Sequence, residues 1–194
     1  TRYGTVTGVQ TCALPISGRK GAVGRKSTRI SMGSSYPITQ VTYTAGIRDV
    51  LGSDLVYHKL RINIQDYLYW GNFGYTQYEL EAGKIWGTIP YPLLEVHKGN
   101  ETYTYSSSLY NQMDYFEFVS DEFASASVIH HFGGIILDRF PLLRKLKWRE
   151  VAQAKVLLGR VGDANRNIMV DPTAFQSLEK PYVEGGVEIG RAHV

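Results

Sequence analysis

The chain has 194 residues, 43% of them hydrophobic and 12% aromatic, and its 21 basic and 18 acidic side chains leave a formal charge of +3. A balance this close gives no electrostatic case for nucleic acid. A single cysteine, Cys12, excludes an internal disulfide.

The two ends are read first, because they decide which residues can be interpreted. Val6 to Ser17, VTGVQTCALPIS, resembles the in-frame translation of a standard short-read sequencing adapter, and Glu188 to Val194, EIGRAHV, resembles the same adapter read from the opposite strand. The DNA for Thr11 to Ile16 and the first base of Ser17 is the reverse complement of DNA that would encode the tail, so each end checks the other. Thr1 to Thr5 fits the flanking primer and index. Segments of that origin are set aside before a fold is argued. The expected division is therefore residues 1–17 adapter-derived, 18–187 a partial native domain read as an open-ended fragment, and 188–194 adapter-derived. With Cys12 in the adapter, thiol catalysis and thiolate metal sites drop out. The terminal segments are expected to be dispensable, since nothing in them pairs with the rest by period or charge.

In the native part the dominant period is two, the signature of half-buried strands. In Thr39 to Arg48, Val41, Tyr43, Ala45 and Ile47 alternate with polar residues, and Gly52-Ser53 then turns the chain. From Asp54 to Asp66, Val56, Leu60, Ile62 and Ile64 oppose Lys59, Arg61, Asn63 and Gln65. Gly71-Asn72 suits a hairpin, and between Tyr75 and Trp86, Tyr78, Leu80, Ala82 and Trp86 oppose Gln77, Glu79 and Glu81. A fourth strand, Phe118 to Phe132, sets Ala124, Ala126, Val128 and Phe132 against Asp121, Ser125, Ser127 and His131. Pro141 to Leu146 reads as a short helical turn, because proline suits a first helical position. A fifth strand, Trp148 to Leu158, sets Trp148, Ala152, Ala154, Val156 and Leu158 against Arg149, Gln153 and Lys155, and a sixth begins at Tyr182 and is cut off by the adapter. No stretch of the native part has the ~18 apolar residues of a membrane-spanning helix.

The predicted fold class is all-β, a fragment of an antiparallel barrel of outer-membrane type with one short helical turn. Alternation alone fits a soluble sandwich with a solvated polar face as well as a barrel whose polar face lines a lumen. Tyr67, Tyr69, Trp70, Phe73 and Tyr75 cluster at one hairpin, as in an interfacial girdle, although cross-strand aromatic pairs occur in soluble proteins too. The long connections Gly87 to Glu117 and Gly159 to Lys180 fall on the same side, which is expected to be the outside, and Ile135 to Lys147 on the other.

The ordered series Tyr91–Thr102, Tyr110–Asp121, His130–Gly134, Pro141–Glu150 and Lys180–Glu184 resembles a Bacteroidetes-type outer-membrane family of unknown function. Its members join an N-terminal carboxypeptidase-regulatory-like β-domain to a C-terminal β-barrel. In this chain Gly133-Gly134 stands where that pattern carries a polar residue and a glycine. The resemblance implies a bacterial outer-membrane location, contact with outer-membrane lipid, and an unidentified protein or glycan ligand.

No catalytic, cofactor-binding or metal-binding residue is assigned, and no enzyme activity is expected. His130 and His131 are adjacent on a strand and point to opposite faces, so they do not converge on one ion. Glu117, Asp121 and Glu122 read as solvated rim carboxylates rather than a glycosidase pair. The residues singled out for recognition are the loop group His97, Lys98, Asn100 and Glu101, with His97 read as solvated. The function read from the sequence is thus a barrel fragment serving transport, surface binding or envelope assembly. The alternative is a soluble β-sandwich carbohydrate-binding module, and a weaker third is a hydrolase built around His97 or His131.

Overall fold

The computed structural model describes residues 9–16, 19–23, 29–34, 36–48, 55–101, 106–168, 178 and 180–191. Its strands are β1 (Val9–Ile16), β2 (Arg19–Val23), β3 (Arg29–Ser34), β4 (Ile38–Gly46), β5 (Tyr57–Tyr69), β6 (Tyr75–Trp86), β7 (Glu95–Val96), β8 (Val119–Ser120), β9 (Glu122–His131), β10 (Trp148–Arg160) and β11 (Tyr182–Arg191). The main sheet runs β1-β4-β5-β6-β9-β10-β11, antiparallel throughout, while β2-β3 and β7-β8 are separate two-stranded ribbons. The fold is all-β, and the sheet is open, with β1 and β11 as its edges. The expected helical turn is α1 (Pro141–Arg144), with its proline in the first turn, and a second turn, α2 (Asp163–Arg166), follows β10.

Alternation and register together sort the side chains onto two faces. Lys59, Arg61 and Asn63 of β5, Glu79 and Glu81 of β6, Ser125 and Ser127 of β9, and Lys155 of β10 share one face, joined by the register of neighbouring strands. Ile62, Ala82, Ala124 and Leu158 lie in one rung of the other face. The buried face is the polar one. The described parts of the chain from Gly87 to Asp121 fold back across it, and both clusters of buried apolar residues form there. One gathers Tyr57, Ile85, Ile89, Leu94, Val119 and Val161, the other Met113, Phe123, Leu157 and Leu178. The apolar face is left open: Leu80, Val128, Leu158, Val183 and Val187 are all exposed.

Several expectations are corrected. Residues assigned to the adapters do pair with the rest: Val9–Ile16 registers against residues 39–46 of β4, and Glu188–Arg191 extends β11 against Trp148–Val151. The reason is that an edge strand offers unpaired backbone groups to any extended segment, whatever its origin. The strand read as Phe118 to Phe132 is split, because Val119–Ser120 pairs with β7 before Asp121 rejoins the main ladder through Ile85 N–H to Asp121 O and Asp121 N–H to Arg160 O. The described parts of the connection Gly87 to Glu117, read as an outward loop, lie against the polar face. Gly52-Ser53 and most of the span from Gly159 to Lys180 beyond Ile168 lie outside the described residues.

The β5–β6 hairpin closes through Gly71 (φ +60°) and Gly74 (φ +88°). A Cβ at Gly71 would meet nothing, whereas one at Gly74 would stand 1.8 Å from the His131 carbonyl oxygen on β9. Gly71→Ala should therefore cost only the left-handed backbone penalty, about 1–2 kcal/mol. Gly74→Ala adds a backbone clash and should cost clearly more, with the β6–β9 ladder yielding first. Urea unfolding of the two variants side by side checks this, and equal midpoints would contradict the close approach.

Candidate functional site

The polar face and the segment folded over it enclose a cleft of about 490 Å³, lined on the sheet side by Lys59, Arg61, Glu79, Glu81 and Lys155, and on the other by Glu95, His97, Lys98 and Tyr110. Its charges are arranged in pairs across strands. Glu95, on β7, receives Lys59 Nζ at 2.7 Å and also binds the Arg61 guanidinium, whose Nε stands 2.7 Å from Glu81 Oε1. Asn63 Nδ2 donates to Glu79 at 2.7 Å. One short strand of the covering segment thus carries a carboxylate that bridges two cations of the sheet.

Deeper in, Lys155 is 1% exposed and Glu184 7%. The ammonium lies 3.3 Å from Glu184 Oε1, donates to the Leu109 carbonyl oxygen and sits 6.0 Å from the centre of the Tyr110 ring. Glu184 Oε2 accepts from the backbone N–H groups of Asn111 at 2.8 Å and Gln112 at 3.3 Å. The pair therefore ties β10 and β11 to residues 109–112. Burial pushes the Tyr110 phenol up to about 12, so it stays neutral.

The residues singled out from sequence fall apart in space. His97 is buried, not solvated: its Nε2 is 3.0 Å from Ser120 Oγ, and its ring packs edge-on to Phe123 at 5.2 Å. Lys98 is exposed at the rim of the cleft. Asn100 works inside its own loop, accepting from Ser106 N–H and donating to Asn111 Oδ1, and Glu101 accepts from Tyr115 N–H. Asp121 is likewise buried rather than solvated, accepting from Gly162 N–H at 2.7 Å and from Asn165 Nδ2 at 3.0 Å, while Asn165 Oδ1 accepts from Ile89 N–H. Glu122 faces the opposite side with Arg160 and Lys84, and Glu117 accepts from Asp114 N–H. His130 meets Thr76 Oγ1 at 2.8 Å and His131 stacks on Tyr75 at 4.4 Å, on opposite faces of β9. The Ser120–His97 contact looks like half of a hydrolytic site, but Ser120 has no solvent exposure, so no substrate reaches its hydroxyl.

What the sequence reading missed is the set Lys59, Arg61, Glu81, Glu95, Lys155 and Glu184. The available signal was that both signs of charge recur on one face of consecutive strands, a pattern with more meaning for a covered face than for a solvated one. Among the described residues no group of three or more His, Cys, Asp or Glu side chains is placed to hold a metal ion, and no helix is long and apolar enough to cross a membrane.

Comparison with known proteins adds one match: the C-terminal domain of a family of unknown function (DUF5686) covers residues 20–162, from β2 through β10 and into the chain that follows. The chain belongs to this family. No curated protein and no solved structure matches it. The matched span of this DUF5686 domain contains the whole covering segment and every cleft residue named above except Glu184, which lies beyond it on β11.

Two outcomes follow from the site. Burial lowers the His97 pKa from 6.5 to about 4, with Arg61 lowering it further and Glu95 opposing both. The unfolded imidazole therefore takes up its proton first, and stability falls as pH drops from about 6.5 to about 4, by up to roughly 3 kcal/mol. His97→Gln should flatten that part of the pH–stability curve, and an unchanged curve would place the titration elsewhere. Lys155→Met leaves Glu184 as an uncompensated buried charge and should cost about 3–5 kcal/mol. Adding Glu184→Gln should recover part of that loss in denaturant titrations, because Gln still accepts from Asn111.

Proposed function

We propose that this domain forms part of the wall of a bacterial outer-membrane β-barrel, with its polar face turned to the lumen and residues 87–121 folded into it as a plug. The observation that carries the reading is the inversion of the sheet, whose charged face is covered and whose apolar face is open. In a soluble sandwich the apolar face packs on a second sheet about 10 Å away, and among the described residues none covers this one. Leu158 is 47% exposed and Val183 65%.

The open face also has the banding that lipid requires. On β5 the apolar stretch Leu60, Ile62, Ile64 is bounded by His58 and Asp66, on β6 by Lys84 and Thr76, on β9 by Glu122 and His130, and on β10 by Arg160 and Glu150. These bounds are eight to ten residues apart, about 27–34 Å along a strand. At a barrel tilt of about 35–45° that is a band of roughly 19–28 Å, a range that includes the ~25 Å apolar height of outer-membrane barrels. Leu68, on the same face, and Trp70 are exposed at the hairpin end, while Tyr67 and Tyr69 alternate onto the polar face.

Within that reading the charge-lined cleft suits binding or passage of a polar solute, a glycan or a peptide. The sequence resemblance contributes one further part of the proposal, a carboxypeptidase-regulatory-like domain accompanying the barrel in the full protein. The competing sandwich reading draws on the tilted Tyr67, Tyr69 and Tyr75 rings as a sugar platform.

Flotation with phosphatidylcholine vesicles separates the two. The barrel reading expects detergent dependence and co-flotation. A chain that stays monodisperse in plain buffer, ignores vesicles and binds an oligosaccharide would establish the sandwich instead. Within the membrane, Val128→Arg on the open face should impair folding by about 2–4 kcal/mol. Ser127→Arg, on the covered face opposite Glu79, should be far better tolerated. Equal tolerance at the two positions would remove the lipid-facing assignment.

A further inference from the structure

A groove of about 650 Å³ runs along the open face at the end of the strands nearest the covering segment. Its form follows from the register. One rung reads Ile62, Ala82, Ala124, Leu158, so two methyl-sized side chains lie between two large ones and the floor drops by most of a side chain. The next rung reads Leu60, Lys84, Glu122, Arg160, which closes the trough with two cations and one carboxylate.

Both cations converge on a single oxygen: Glu122 Oε2 is 2.6 Å from Arg160 Nη2 and 3.5 Å from Lys84 Nζ. The nearby Asp121 carboxylate is committed to Gly162 and Asn165 in the interior. The mouth of the groove therefore carries one positive charge in excess, and its looser member, Lys84, also lies 5.8 Å over the Trp86 ring.

We propose that this groove binds a phospholipid with an anionic headgroup, one acyl chain lying over Ala82 and Ala124 and the headgroup phosphate meeting Lys84 and Arg160. The inference rests on the membrane reading above and adds to it a particular lipid at a particular place. An apolar trough ending in a surplus cation matches an amphiphile with a terminal negative charge. A second protein sheet would have to bury that charge at the seam, and a free phosphate would leave the trough unfilled. Trp86, beside the mouth, reports on occupancy, and in Trp70→Phe/Trp148→Phe protein it is the only tryptophan.

The test uses that protein in phosphatidylcholine vesicles containing, at equal mole fraction, either phosphatidic acid or phosphatidylcholine with brominated acyl chains, which quench tryptophan on contact. Brominated phosphatidic acid should quench Trp86 about fivefold more effectively per lipid, the preference that one surplus cation near an anionic lipid supports. Lys84→Gln/Arg160→Gln should abolish the preference while the protein still floats with vesicles. Ala82→Leu/Ala124→Leu, which fills the trough, should reduce quenching by the anionic lipid. Equal quenching by the two lipids would overturn the proposal and leave the barrel reading standing. Displacement of the anionic lipid by inorganic phosphate would also overturn it, by showing an anion site without a lipid. Failure to float at all would remove the membrane reading itself.

Discussion

The ammonium group of Lys155 lies between the Glu184 carboxylate of the neighbouring strand and a carbonyl oxygen of the segment folded over the sheet. It is the largest side chain shut off from solvent in the described structure, and a cation in that position must be compensated from every side. The compensation joins three stretches remote in sequence: β10, β11 and residues 109–112. A buried pair of this kind adds little stability over well-packed apolar residues, but removing either member alone is costly. It acts chiefly as a constraint on register and on where the covering segment can lie.

The same constraint recurs along the covered face with other residues. Glu95 on the covering segment bridges Lys59 and Arg61 on β5, so that segment cannot leave without taking a shared carboxylate away from two cations. Further hydrogen bonds complete the attachment. His97 meets Ser120 at one crossing, and Asp121, Asn165 and the Ile89 backbone meet at another. Between these polar ties sit Ile89, Leu94, Met113 and Val119, whose burial supplies the hydrophobic contribution that the sheet's own charged face cannot. The two clusters of buried apolar residues are thus built from the covering segment, the strand ends beneath it, and Val161 and Leu178 from the chain after β10.

That division of labour is what makes the open face interpretable. Because the buried apolar residues lie on the covered side, much of the aliphatic surface of the other face is left uncovered within the described chain. Its banding across β5, β6, β9 and β10 is the basis of the proposed lipid-facing assignment, and the small residues at one rung give that surface local relief.

The sequence alone determined the long strands β4, β5, β6, β9 and β10, the start of β11, and their two-faced character, since alternation is a local property and a one-residue slip would reverse it. The hairpin at Gly71-Asn72, the proline-led turn of α1, and the separation of His130 from His131 were legible because each rests on local sequence. The strand break at Asp121 was not, because Val119 and Ser120 pair with a distant β7 that leaves no local trace. Nor was the burial of His97 and Asp121, which depends on what lies above them. Period two says which residues share a face and is silent on which face is covered. The tertiary structure decided that, through charge pairs between residues tens of positions apart: Glu95 with Lys59 and Arg61, and Lys155 with Glu184.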